Sequence, residues 1–596
     1  MDLISKHNIV HRYEKRKLLI AVNCVAGLAI FFFGYDQGMM GSVNVSIDYG
    51  VNRMQYGHID PEAKQVVVDN SLLQGGIVSV YYLGTLLGCM VGGWIGEKVG
   101  RIKVMALGCV WAIVGASLQT SAMNADWMIC ARLINGIGTG MLNVIVPVWA
   151  TETASHTSRG QFVAIEFTLN IFGVVIAYWL GFGCSFVDNG YSPFVWRFPI
   201  AFQLIPLIFL LCIVWFFPES PRWLVKVGRE AEARYILGRL RGEDEYGLAE
   251  AEFQDIRNVA ELEKKSGKVN SYFHMFWDVM PKKIGGGSSG KLHIGRRVQL
   301  VIWLQILQEW IGIAGVTICQ LRFSRIYSLP SDLADSPDPD ANDIFNQAGY
   351  SVFKSRWIAG INDIFYMFST LIAVFTLDRL GRRVTLYWGC VVMGISMFLA
   401  GGFSRLSQNN ANDDYLKGAY GAAGASFTFL FTFGFGATWL TVPWLYPAEI
   451  FPLQCRAKGN AWGVVGWSIG NGWTVLLLPT MFKNISEKTF YVFGACNAIS
   501  IPIVWALYPE SSQRTLEEMD LLFAADSWWN WDAERTFARL KAENPDLVNA
   551  ARARQTSVVG GSGGEMGGVG KKGRGLSLVP GGKAGSEGSE EGEKGV

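Results

Sequence analysis

Asp36 and Arg132 are an acid and a base set inside long apolar stretches of this 596-residue chain. A charged side chain in such a place is unfavourable unless paired or hydrated, so it marks function by default. A carboxyl beside an arginine forms a proton switch, because the guanidinium stays charged while the acid takes up and releases a proton. The null alternative is a permanent structural ion pair. Glu309 stands in another apolar stretch, where it can accept hydroxyl hydrogens, take a proton or pair with a cation that the sequence does not identify. Asp363, beside Asn362, and Glu166 are weaker candidates of the same kind.

A second set of acids and bases is repeated. Gly93-x3-Glu97-Lys98-x-Gly100-Arg101-x-Lys103 recurs as Asp378-Arg379-x-Gly381-Arg382-Arg383. Glu152-x6-Arg159 recurs as Glu449-x6-Arg456, and Pro218-Glu219-Ser220 as Pro509-Glu510-Ser511, at offsets of 281, 297 and 291 residues. Three motifs in one order at nearly one offset indicate a duplicated unit. Glycine permits a tight reversal, and the carboxylates and guanidinia can pair with each other or with helix ends. Such pairs are suited to holding one half against the other in one state and releasing it in another. Plain positive anchoring explains isolated Lys and Arg, but not a repeated carboxylate seven residues before an arginine.

These residues must be positioned by helices in lipid. Half of the residues are hydrophobic and only 17% are charged, against about a quarter in soluble domains. Twelve runs long enough to span a bilayer, about 20 residues each, lie near 18–40, 72–95, 104–123, 127–150, 161–184, 197–217, 298–319, 355–377, 384–403, 418–444, 459–481 and 489–508. The first is too long for a signal peptide and reads as a retained helix. The expected fold is an all-α membrane protein of twelve transmembrane helices in two pseudo-symmetric six-helix bundles. The bundles are residues 1–217 and 297–508, joined by a charged helical linker, 218–296, and followed by a tail, 509–596. From Gly560 the tail is Gly-rich and without aromatic residues, a composition expected to stay disordered.

Lys and Arg set the orientation. Residues 1–17, the turns after the second and eighth runs and the linker are basic, whereas 328–350 holds no Lys or Arg. Both termini and the linker are therefore expected in the cytoplasm, and the sequon Asn484-Ile-Ser486 outside. Asp36 lies roughly 28 Å beyond Lys17 along a helix and Arg132 just inside Asp126, so the two share an outer depth; Glu309, roughly 18 Å past Arg297, lies near the middle.

The exclusions are broad. A net charge of +2 gives no electrostatic case for nucleic acid. The ten cysteines form no CxxC and sit mostly in apolar runs, so neither a disulfide framework nor a metal site is expected. No GxxxxGK[ST] loop is present, no cofactor is implied, and no hydrolase constellation stands out.

The ordered motifs resemble the sugar porter family of the major facilitator superfamily, and are most similar to its fungal monosaccharide transporters. The resemblance rests on Phe33-Gly-Tyr-Asp36-Gln-Gly38, the Gly93 to Lys103 turn, Arg132 with Gly136, Gly138 and Gly140, Pro147-Val-Trp-Ala-Thr-Glu152 and Arg159-Gly160. It continues through Pro218-Glu219-Ser-Pro-Arg222-Trp-Leu224, Asp378 to Arg383, Pro443-Trp444 with Glu449-Ile-Phe-Pro452, Arg456, and Pro509 to Asp520. It implies a central sugar site, alternating access by rocking halves, and proton coupling at Asp36 and Arg132. The implied site residues are Gln308, Trp444 and Trp467, which match the family, with Glu309, Phe167 and Thr317 at varied positions and Asn471 and Trp473 near family ones. Glu309 replaces a second glutamine, Ala314 an asparagine, Ile318-Cys319 a tyrosine pair, Phe167 a glutamine and Gly466 an asparagine. Glucose itself is thereby in question, but a small polyhydroxylated solute is not, since amides read hydroxyls and rings cover the apolar sugar face. The resulting expectation is a monomeric plasma-membrane carrier of a monosaccharide or polyol, with protons and the bilayer as its other partners. A sugar sensor on the same fold and a proton-independent facilitator are the alternatives.

Overall fold

The computed structural model describes residues 8–44, 46–59, 66–153, 159–242, parts of 249–261, 272–278, 293–317, 352–410, 413–452, 455–512, 514, 516–523 and 527–543. Residues 279–292 of the expected linker 218–296, the acidic segment 328–350 and the Gly-rich tail lie outside the described residues, as do the side chains of Arg159 and Asp378.

Six helices form the first half: α1 (Lys15–Val43), α2 (Ser71–Val99), α3 (Arg101–Thr120), α4 (Ala125–Thr153), α5 (Arg159–Cys184) and α6 (Phe194–Phe216). Six form the second: α7 (Ile294–Thr317), α8 (Val352–Leu380), α9 (Arg382–Asn409), α10 (Asp414–Ala437 continued by Val442–Ile450), α11 (Arg456–Ile485) and α12 (Lys488–Leu507). Eleven are apolar enough to cross a membrane by composition alone. The twelfth, α11, is 30 residues long but diluted by Asn460, Ser468, Asn471 and Thr474. Phe375, Trp388, Trp505 and Ile205 are each more than half exposed, as expected where lipid rather than water is the outer solvent.

Packing repeats with the sequence. In the first half α2 and α3 pack on α4, and α1 on α5; in the second α8 and α9 pack on α10, and α7 on α11. The halves meet through α2 against α11 and α5 against α8, which the same two-fold exchanges. Glycines let the main chains touch: a Cβ at Gly88 would lie 2.1 Å from the Ile137 carbonyl, and one at Gly140 2.3 Å from that of Thr85, the small-residue contact by which membrane helices pack. Between α1 and α2 a short antiparallel hairpin pairs β1 (Gly57–Ile59) with β2 (Val66–Val68), with His58 opposite Val67.

At the opposite end, which carries the repeated motifs, the acids and bases assemble into one device per half. Arg101 donates from Nε and Nη2 to the two Glu152 oxygens, both at 3.1 Å, while Glu219 accepts from the Arg101 and Ile102 main-chain N–H groups at 2.9 and 3.2 Å. Arg382 does the same with Glu449, at 3.1 and 2.5 Å, and Glu510 accepts from the Arg382 and Arg383 N–H groups at 2.9 and 3.0 Å. Each carboxylate thus caps a helix N-terminus where unpaired N–H groups and the helix dipole favour negative charge. Burial pushes the Glu219 carboxyl up from its ordinary range, against the Ser220 and Arg101 N–H groups that favour its ionised form.

The glycines before these helices are required by geometry. Gly100 (φ 107°, ψ 165°) and Gly381 (φ 87°, ψ 164°) occupy backbone regions open almost only to glycine. A Cβ at Gly100 would fall 2.5 Å from Glu219 Oε2. Gly228 is also left-handed, but no atom lies within 4 Å of its would-be Cβ. Gly100→Ala should therefore destabilise the detergent-solubilised protein by about 2–4 kcal/mol, backbone strain plus a displaced cap, and Gly228→Ala by about 1 kcal/mol. Thermal unfolding of both variants checks the order; equal shifts would remove the capping term.

Candidate functional site

A cavity with about 650 Å³ of space, its open mouth included, lies between the halves. Its wall comes from α1 (Phe33, Gln37, Gly38), α5 (Phe167, Asn170), α7 (Gln308, Glu309, Ala314, Thr317), α8 (Tyr366), α10 (Leu440, Trp444) and α11 (Trp467, Asn471).

Two interrupted helices create it. In α7 the turn Glu309–Ile313 is π-helical and Gly312 leaves helical geometry at φ 117°. A Cβ there would meet the Phe493 ring at 2.9 Å, and the Ile311 carbonyl accepts from Asn497 Nδ2 at 3.0 Å. In α10 the chain breaks across Thr438–Thr441. Gln308 Nε2 donates to the Trp439 and Leu440 carbonyls at 2.8 and 3.2 Å, and Gln305 Nε2 to that of Pro443 at 3.1 Å. A main-chain carbonyl freed in lipid must find a protein donor, and glutamines from α7 supply it. Gln308 Oε1 is left buried and without a partner.

Rings from both halves face each other here. Phe33 and Tyr82 meet Trp467 with ring centroids 5.2 and 5.3 Å apart, Phe167 meets Trp444 at 5.2 Å, and Trp444 meets Trp467 at 5.9 Å. Of the residues expected at the site, the cavity wall includes Gln308, Glu309, Trp444, Trp467, Phe167, Thr317 and Asn471. Trp473 instead lies 57% exposed on the outside of α11. Glu166 and Asp363 are buried away from the wall.

Asp36 and Arg132 come together as their depths imply. Arg132 Nη1 stands 3.6 Å from Asp36 Oδ1, and Asn135 Nδ2 donates to both Asp36 oxygens at 3.0 and 2.9 Å. The guanidinium lies over the Tyr81 ring, 4.5 Å from its centroid. The pair is fully enclosed and does not touch the cavity, but Gln37, the next residue on α1, does.

At the motif end, Arg101–Glu152 and Arg382–Glu449 close inside their own halves. The pair that bridges the halves is Lys458 with Glu97, at 3.0 Å, and Glu97 also stands 4.0 Å from Lys226. Arg222 lies close enough to Arg456 for the like charges to repel across the same seam. Further in, Thr85 bonds Ser468 and Thr168 bonds Thr370, both at 2.8 Å.

Gln37, Asn170, Tyr366 and the bracing Gln305 were not singled out by sequence. Gln37 adjoins Asp36 within a quoted motif, and Asn170 follows Phe167 at the three-residue spacing that shares a helix face; nothing in sequence marks Tyr366 or Gln305.

The family described as "Sugar (and other) transporter" matches residues 22–323 and 341–523. The chain belongs to the sugar transporter family. Among relatives, the MFS-type transporter oryC of Aspergillus oryzae is 32% identical over 508 residues, 84% of each chain. The sugar transporter STL1 of Saccharomyces cerevisiae is 29% identical, covering 86% of this chain and 82% of its own. The arabinose-proton symporter of Escherichia coli is 25% identical, covering 85% and 94%. Of solved structures, the proton:xylose symporter XylE bound to 6-bromo-6-deoxy-D-glucose superposes with TM-score 0.65 at 22% identity, over 85% of this chain and 99% of that one. That likeness shows the major facilitator fold, with its twelve helices, in this member of the sugar transporter family. The protein is thus a multi-pass membrane transporter and not an enzyme.

Gln305→Leu should lower the unfolding temperature in detergent, because an unpaired buried carbonyl costs about 1–3 kcal/mol. An unchanged melting curve would show that the α10 break needs no brace from α7.

Proposed function

We propose that the chain carries a monosaccharide or related polyol by proton-coupled alternating access. The observation that carries this reading is one cavity walled by both halves at two helix breaks, with amides beside facing tryptophans. Amides pair with hydroxyls and rings cover the apolar sugar face, and a site shared between halves is exchanged between the two membrane faces when the halves rock. The relatives named for arabinose and xylose symport with protons favour the same chemistry.

Asp36 is the proton carrier in this reading. Ionised, it pairs with Arg132 and accepts from Asn135; protonated, it loses the charge that holds α1 to α4. Since α1 also presents Gln37 and Gly38 to the cavity, the proton state bears on the solute site through one helix. Glu97 and Lys458 act as the separable contact at the motif end, while the Arg101, Glu152, Glu219 and Arg382, Glu449, Glu510 sets keep each half rigid. The basic motif end faces the cytoplasm, with both termini, in a plasma membrane, and the protein works as a monomer.

Asp36→Asn keeps the shape but cannot exchange a proton. Uphill accumulation under an imposed pH gradient should be abolished, while counterflow exchange survives; an Asn variant that still concentrates sugar would remove Asp36 from coupling. Trp444→Ala should raise the apparent KM roughly three- to tenfold, the scale of an aromatic contact, at nearly unchanged surface abundance. Lost surface protein at constant KM would make Trp444 a packing residue instead.

A further inference from the structure

The polar groups nearest Glu309 have spent their donors on the main chain. Gln308 commits its amide N–H groups to the Trp439 and Leu440 carbonyls, and its orientation is forced, since a flipped amide would set oxygen against two carbonyl oxygens. Asn471 Nδ2 donates to the Trp467 carbonyl at 3.4 Å, and the Thr317 hydroxyl to that of Ile313 at 3.0 Å. Around Glu309, which Asn471 hydrogen-bonds, this leaves Gln308 Oε1 and Asn471 Oδ1 as buried, unpartnered acceptors, while Gln37, Tyr366 and the Trp444 and Trp467 indoles carry donors elsewhere on the wall.

Glu309 has no ion-pair partner among the described residues. The polar groups facing it are Asn471 from α11, Tyr82 from α2 and Tyr366 from α8, none of them a cation. Arg132 is engaged by Asp36. Gly470 makes room for the side chain, since a Cβ there would come within 3.1 Å of Glu309 Cγ.

We propose that Glu309, a cavity carboxyl with no cation beside it among the described residues, recognises a protonated amine on the solute, so that an amino sugar or amino polyol is preferred to its neutral counterpart. This rests on the transport reading above and narrows its substrate class. A carboxylate without a countercharge in an apolar surround is unfavourable, and an ammonium brings the missing charge together with donors for Glu309 and the acceptors beside it. A neutral polyol supplies donors without the charge. A sugar acid brings a second carboxylate to Glu309 and is rejected.

The test is uptake of labelled glucosamine and glucose at pH 6 by cells that lack their own sugar carriers and express the full chain. Glucosamine should show a KM at least about tenfold below that of glucose, equivalent to about 1.4 kcal/mol. N-acetylglucosamine, whose amine is neutralised, should lose that advantage, and glucuronate should not compete. Glu309→Gln, at matched surface abundance, should bring the two KM values together. Saturable glucose uptake with no preference for glucosamine overturns the proposal and leaves the transport reading standing, as does a Glu309→Gln protein that keeps the preference. Uptake of neither solute overturns both. The wild-type comparison decides the matter even where the variant fails to reach the surface.

Discussion

A main-chain carbonyl released inside a membrane has no water to bind, and a donor from the protein must reach it. The central cavity is arranged around that constraint. Helix α10 opens across Thr438–Thr441, where Gln308 of α7 holds the Trp439 and Leu440 carbonyls, and Gln305 holds the Pro443 carbonyl, whose helical donor is missing at Pro447; α7 itself opens at Gly312, and Asn497 of α12 holds the Ile311 carbonyl. The breaks keep Trp444, Glu309 and Asn471 on one wall, opposite Phe33 and Phe167 of the other half. The same bonds consume amide donors and leave acceptors, so structural bracing and the chemistry offered to a solute are two results of one arrangement.

Each half is braced from within. Within each, an arginine is clamped on two sides by a glutamate, and a second glutamate caps the helix that the arginine begins. Charge-assisted, two-pronged contacts of this sort are strong and directional. Among the described residues the polar contacts between the halves include the Glu97–Lys458 pair, hydroxyl pairs at Thr85–Ser468 and Thr168–Thr370, and the Cys89 thiol on the Ala461 carbonyl. Arg222 and Arg456 repel across the same seam. Strong bonding inside the halves, with sparser polar bonding between them among the described residues, is the pattern that rocking requires.

The twelve helices were legible because a span must be long and apolar, and the duplication because its motifs are polar interruptions at one offset. The pairing of Asp36 with Arg132 was expected from their shared depth together with the family resemblance. The breaks were only partly legible: Gly312 sits in an apolar run that reads as continuous, whereas Pro443, just past Thr438–Thr441, withholds the N–H that the Trp439 carbonyl would take and so marks a kink without giving its extent. Gln308 was therefore read as a solute contact, whereas its amide nitrogen belongs to the main chain and only its oxygen faces the cavity. Spacing also did not tell that Arg101 closes within its half while Glu97, four residues earlier, reaches across to Lys458. Which of Trp467 and Trp473 faces inward depends on helix phase, and α11, polar along much of its length, shows little periodicity to fix it.

The central claim is that the halves must part at the Glu97–Lys458 seam for solute to pass. It is tested most directly by placing cysteines at positions 97 and 458, in a chain whose native cysteines are serine, and joining them with a short reversible thiol cross-linker. Sugar exchange by the reconstituted protein should stop on cross-linking and return on reduction. Exchange that continues undiminished through the cross-linked seam would contradict the account.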